Sequence, residues 1–157
     1  MRRRGLGGAL ALLLLLAACR SWLGLPTPIA ECPGELVPSE RIEDDLLLRG
    51  NLRVRFGDAD ESFDLVIRKR GDALVVVGFT AFGSKAFSVT QLGVETQAES
   101  YLGPALGIPP RNVLYDLHRA SLLSGSARGR RVRVDNRRCG YEALFVVLSS
   151  GGASPSR

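Results

Sequence analysis

Leu46-Leu47-Leu48-Arg49-Gly50-Asn51-Leu52-Arg53-Val54-Arg55-Phe56 is the stretch that decides the fold. It ends in strict alternation, with Leu52, Val54 and Phe56 on one face and Arg53 and Arg55 on the other, which is the pattern of a half-buried strand. Gly57-Asp58-Ala59-Asp60 predicts a turn. Phe63, Leu65 and Ile67 then alternate against Asp64 and Arg68, and Arg70-Gly71-Asp72 turns the chain again. Leu74-Val75-Val76-Val77-Gly78-Phe79 is apolar on both faces, so this strand is expected to be covered on both sides. Thr80 to Ser84 reads as a loop or bulge, and Lys85 to Gln91 as a strand with Phe87 and Val89 on one face. After a turn at Leu92-Gly93, Val94 to Ala98 reads as a further strand. Short strands joined by short turns predict an antiparallel meander.

Beyond it, Tyr101 to Pro110 holds two glycines and three prolines and is expected to be irregular. A helix is predicted over Pro110 to Leu123. Pro110 suits a first turn, and Val113, Leu114, Leu117 and Ala120 or Ser121 share one face. Ser124-Gly125-Ser126 is read as its stop. Arg130 to Asp135 alternates, and Tyr141 to Leu148 is a strong apolar strand expected to run through the core. The expected class is mainly β (α+β): about seven strands in a curved antiparallel sheet or unclosed barrel, lidded by one main helix. The β domain is placed at residues 35–148, and Ser149 to Arg157 is expected to be a disordered tail.

Working outward to the N-terminus, three arginines, an apolar run and small residues ending at Cys19 predict a secretory signal over residues 1–18. The uncharged run is too short to span a bilayer comfortably. Leu16-Ala17-Ala18-Cys19 resembles the lipobox of bacterial lipoproteins. That resemblance implies that Cys19 becomes the first residue, carries a diacylglyceryl thioether and an N-acyl group, and anchors the chain to a membrane. The alternative is an ordinary signal peptide that ends near a cysteine. Arg20 follows, where an aspartate would resemble an inner-membrane retention signal. The expected address is therefore the periplasmic face of the outer membrane, with the inner membrane as the alternative. Residues 19–34, which include Pro26 and Pro28, are read as a lipidated tether.

Removing the signal leaves 139 residues, enough for one domain with a real core. It also removes three arginines. The mature chain then holds 18 basic and 16 acidic residues, a net of +2, which gives no case for a nucleic-acid partner. With Cys19 lipidated, Cys32 and Cys139 are left as a pair in an oxidising compartment and are expected to form a disulfide. The alternative is two buried thiols that never meet.

Three pieces in order resemble a known family: Phe63-Asp64 opening an apolar strand, the run Val77 to Gln91, and Pro109-Pro110-Arg111-Asn112-Val113-Leu114-Tyr115-Asp116-Leu117-His118-Arg119. Their spacing resembles an uncharacterised bacterial lipoprotein family, a domain of unknown function distantly similar to the LolA/LolB-like lipoprotein carriers. The resemblance covers most of residues 45 to 148. It implies an unclosed antiparallel barrel with a helical lid and an apolar cavity for acyl chains. One helix is found where the carriers have several, and their functional residues do not align. The expected cavity wall is Phe79, Phe82, Phe87, Val89, Leu114 and Leu117, with Gly78 and Gly83 curving the strands around it. The alternative is that these residues simply fill a core.

Catalysis is not expected. His118, the only histidine, shares the predicted helix with Asp116 and Ser121, but Asp116 lies two positions away and faces elsewhere, and no Gly-x-Ser-x-Gly elbow exists. His118 is read as a packing or capping residue bonded to the sheet or a loop. No zinc set, other metal site or cofactor is expected, and Gly83-Ser84-Lys85 lacks the spacing of a phosphate loop. The function expected is non-catalytic binding or carrying of acyl chains, of lipoproteins or another envelope lipid. The alternative is an accessory envelope lipoprotein with a filled core that binds a protein partner.

Overall fold

The computed structural model describes residues 29–151. Cys19, the signal and the end of the tail from residue 152 lie outside the described residues. Seven strands form one antiparallel sheet: β1 (Leu47–Phe56), β2 (Ala59–Arg70), β3 (Ala73–Phe79), β4 (Lys85–Leu92), β5 (Glu95–Ser100), β6 (Arg131–Asn136) and β7 (Tyr141–Gly151). Their order is β5-β4-β3-β2-β1-β7-β6. The first five are the expected meander, each paired with its neighbour in sequence. β7 then returns to the open side of β1, and β6 lies outside it. The edge strands β5 and β6 do not pair, so the sheet is not closed.

Register carries the alternation seen in the sequence into a continuous inner face. Leu48, Ile67, Val76 and Val89 stand opposite one another across four strands, and all four are buried. One row along, Phe87, Gly78, Leu65, Gly50 and Val147 are in line. Both glycines sit at register shifts, where the ladder bends. A Cβ on Gly78 would lie 2.2 Å from the Phe87 ring, and one on Gly50 would lie 2.4 Å from the Val146 carbonyl oxygen. The Phe87 ring fills the room over Gly78 and meets Phe63 edge-on at 5.5 Å.

The helix, α1 (Pro110–Arg119), packs over β4 and β5 with Val113, Leu114 and Leu117 buried. It ends four residues before the expected boundary at Leu123. Ser121 takes a left-handed conformation (φ 52°). Its N–H bonds the His118 carbonyl, and the Leu122 N–H bonds that of Leu117. This is a Schellman stop with Leu122 folded back into the core.

Three further expectations are corrected. The two-sided burial of β3 is not found: Leu74 and Val76 are buried, but Val75 and Val77 are half-exposed on the outer face, where no described element packs. The docked chain starts before residue 35, because Ile29 and Cys32 belong to the core. At the other end β7 passes Leu148 to Gly151, since the bulge at Gly50 lets Leu47, Leu48 and Arg49 pair with Gly151, Ser150 and Ser149.

Candidate functional site

Residues 29–39 form a strap that crosses the outer side of α1, opposite the sheet. Asn112 holds its first part. The Asn112 Nδ2 donates to the Ala30 carbonyl (3.0 Å) and its Oδ1 accepts from the Cys32 N–H (2.8 Å), so one buried amide acts as a strand partner. The Ile29 N–H bonds the Gly107 carbonyl at 2.9 Å. Gly34 lies so close to Tyr115 that a Cβ would stand 2.6 Å from that residue's Cβ. Farther along, the Val37 N–H donates to His118 Nδ1 (3.3 Å), and the Val37 carbonyl accepts from Gln91 Nε2 (2.8 Å). Ser39 ends the strap in the β2–β3 and β4–β5 turns: its hydroxyl donates to the Asp72 carbonyl (2.6 Å) and accepts from the Gly93 N–H (2.8 Å). The helix is therefore held on two sides.

His118 is a structural pivot of this layer. Because Nδ1 accepts from Val37, the proton belongs on Nε2, which donates to Gln91 Oε1 at 2.8 Å. Burial pushes the ring pKa down to about 4, so the imidazole is neutral at neutral pH.

Under the C-terminal end of α1 lies a second polar group. Asp116, 1% exposed, accepts from Asn136 Nδ2 on both oxygens (2.9 Å each) and from the Tyr141 hydroxyl (2.8 Å). Arg119 reaches the same carboxylate (3.5 Å) and also donates to Asn136 Oδ1. Burial raises the Asp116 pKa, against the hydrogen bonds of Asn136 and Tyr141 and the charge of Arg119, which lower it. The Tyr141 phenol is pushed up by burial and by Asp116. Tyr141 thus keeps its proton as a fixed donor to Asp116. The cluster ties α1 to β6 and β7 as a joint.

Cys32 of the strap is bridged to Cys139, which lies in the short turn Arg137–Cys139 between β6 and β7, with the Cα atoms 5.8 Å apart. A groove of about 770 Å³ opens beside this bridge, lined by Cys32, Pro33, Arg119, Asp135, Asn136, Arg137, Arg138 and Cys139. A second hollow of about 630 Å³ continues from it along Pro33 to Val37, His118 and Arg119.

The residues expected to line an acyl cavity divide. Phe87, Val89, Leu114 and Leu117 come together, each at most 1% exposed, as packed core. Phe82 does not join them: it is 95% exposed in the β3–β4 turn, because Thr80 and Ser84 close that turn and leave residue 82 at its tip. Phe79 faces the other way. It pairs with outward-facing Asp64, so alternation places it on the outer side of the sheet, half-exposed. Gly83 serves that turn with φ 79° and touches nothing, whereas Gly78 does bend a strand. The space left beside Leu117, between Leu48, Leu65, Ile67, Leu122 and Phe145, is about 10 Å³.

Asn112, Gln91, Asn136 and Arg119 were not singled out by the sequence. The sequence held no distinct signal for the first: Asn112 and Asp116, four apart, form a polar row beside the apolar face, as the residues of any amphipathic surface helix do. No protein-family model matches the chain, and no curated protein matches it.

Proposed function

We propose that this chain is a lipid-anchored, non-catalytic envelope protein, held by an acylated Cys19 at the periplasmic face of the outer membrane, that acts on a protein partner through its surface. The architecture suits a LolA/LolB-like relative, an unclosed antiparallel sheet with a helix on one face, but one with its core filled. The observation that carries this reading is the packing beneath α1. Phe87, Val89, Leu114 and Leu117 are each at most 1% exposed there, and the gap beside Leu117 is about 10 Å³. A single water needs about 10–15 Å³ of such volume, and an acyl chain many times more. To admit one, α1 would have to lift off the sheet, against the strap, the buried bonds of Asn112 and His118, and the Cys32–Cys139 bridge.

Native mass spectrometry of the full chain, extracted gently from membranes, tests this. The expected spectrum holds the mature chain with the mass of its own acyl groups on Cys19, and crosslinking in whole cells captures a discrete protein complex. A co-purifying lipid, lost on filling the core further by Phe87→Trp, would return the function to acyl-chain carriage. An unmodified Cys19 in a chain that washes off membranes would refute the anchor.

A further inference from the structure

We infer that the groove beside the disulfide is a binding site for a phosphoryl oxyanion, assembled by Arg119 at the end of α1 and Arg137 and Arg138 in the turn between β6 and β7. The three arginines come from two elements to line one open space of about 770 Å³. Arg119 is held from beneath. Its Nη1 donates to Asn136 Oδ1 and lies 3.5 Å from Asp116 Oδ1, and these two partners are 4% and 1% exposed. Its side chain is still 42% exposed, so the remaining donors of the fork face outward. A guanidinium tethered through Nη1 is restrained before any ligand arrives, which is the preorganisation that oxyanion recognition rewards.

Of the other two arginines, one is paired and one is not. Arg137 is clamped by Asp135, through its Nε to Oδ2 (2.7 Å) and its backbone N–H to Oδ1 (3.1 Å). Arg138 forms no salt bridge among the described residues. Three cations therefore meet two carboxylates, Asp135 on Arg137 and the buried Asp116 on Arg119, which leaves one net positive charge, that of Arg138. An anion entering the groove would meet that charge. Arginines reaching in from two elements suit a tetrahedral phosphoryl group, which takes donors from several directions, better than a planar carboxylate, which one fork satisfies. The phosphoryl group could belong to a lipid headgroup or to a free phosphate. The inference does not rest on the anchor or on the filled core.

The test uses the full chain with Cys19→Ser, so that no acyl anchor contributes, and inorganic phosphate as the first probe, followed by the backbone amide signals of residues 135–140. Saturable binding in the millimolar range is expected. The double variant Arg137→Gln/Arg138→Gln, at exposed positions of a turn, should weaken it about tenfold. Arg119→Lys keeps the charge but loses the fork and should weaken it several-fold while the thermal midpoint stays near that of the parent. Phosphatidylcholine vesicles with and without phosphatidylglycerol then separate the sources. Anionic vesicles that bind the parent more strongly than the double variant, in competition with phosphate, identify a lipid headgroup. Phosphate binding without that difference identifies a small soluble phosphate. No saturable phosphate binding, or binding unchanged in both variants, overturns the inference.

Discussion

Breaking the Cys32–Cys139 bridge should cost much of the stability of this domain, and the loss should begin in one place. The bridge joins residues 107 apart. In the chain-entropy account, a loop of that length removes about 16 cal/mol/K from the unfolded ensemble, or about 4.8 kcal/mol at 25 °C. Whole domains of this size are stable by about 5–15 kcal/mol. For a domain of this length a kcal/mol moves the thermal midpoint by about 3–5 °C, so Cys32→Ala/Cys139→Ala should melt about 15–20 °C below the oxidised parent. The folded state changes too. Without the bridge, the strap is held by hydrogen bonds to Gly107, Asn112, Gln91 and His118 and by those of Ser39. Amide exchange at Cys32 and Val37 should accelerate well beyond that at Leu65 and Val76 in the sheet. The assay is a thermal melt by circular dichroism paired with residue-resolved hydrogen exchange. A midpoint within about 5 °C of the parent, with Cys32 and Val37 as protected as the central strands, would refute the reasoning on both counts.

Other outcomes follow from the buried polar groups and the sheet. His118 is held neutral, with its folded pKa near 4 below the ordinary 6.5. Its contribution is therefore fully present above pH 6.5 and is lost as pH falls from there through 4, to a total of about 3 kcal/mol. Urea midpoints between pH 7.5 and 4 should show that slope, and His118→Gln should flatten it. Asp116→Asn puts a donor where Asn136 and Tyr141 need an acceptor, and chemical denaturation should report a loss of about 2–4 kcal/mol. Gly78→Ala drives a methyl into the Phe87 ring and should cost about 1–3 kcal/mol, partly recovered when Phe87→Leu is added; full stability of the single variant would show that the ring is not held there.

The strands were legible because alternation over six or more residues has one reading once a face is buried. Leu52, Val54 and Phe56 point inward as the sequence implies, and Arg53 and Arg55 outward. The start of the helix was legible from Pro110. Its end was not, because the left-handed residue is Ser121 and not a glycine, while Gly125 four positions on carries the usual signal. Residues 29–34 looked like a tether for a related reason. They have no periodicity of their own, and the groups that hold them, Asn112 and Cys139, are about 80 and 107 residues away. Phe79 and Phe82 share aromatic character with Phe87, yet only the pleat and the tip of a turn decide which way each one faces. Composition carries no such information.

A helix on one face of a sheet can be a lid or a layer, and the difference lies in what covers its far side. A lid needs one weak face, so that it can leave the sheet at a cost of a few kcal/mol. Here Val113, Leu114 and Leu117 are buried against the sheet, while Asn112, Tyr115 and His118 are engaged by the strap. Lifting α1 would strip apolar surface at about 25 cal/mol per Å². It would also leave the Asn112 amide and the Cys32 N–H unpaired, at about 1–3 kcal/mol for each buried group without a partner. The bridge prevents the strap from moving aside first. The polar joint of Asp116, Asn136, Tyr141 and Arg119 ties the end of α1 to β6 and β7, so rotation about that end is opposed as well. An element fixed at both faces and at one end serves better as a platform than as a gate. Its exposed edge is where the strap, the disulfide turn and the three arginines meet. An anion bound there, as proposed, would spend its binding energy on contacts and not on opening a core.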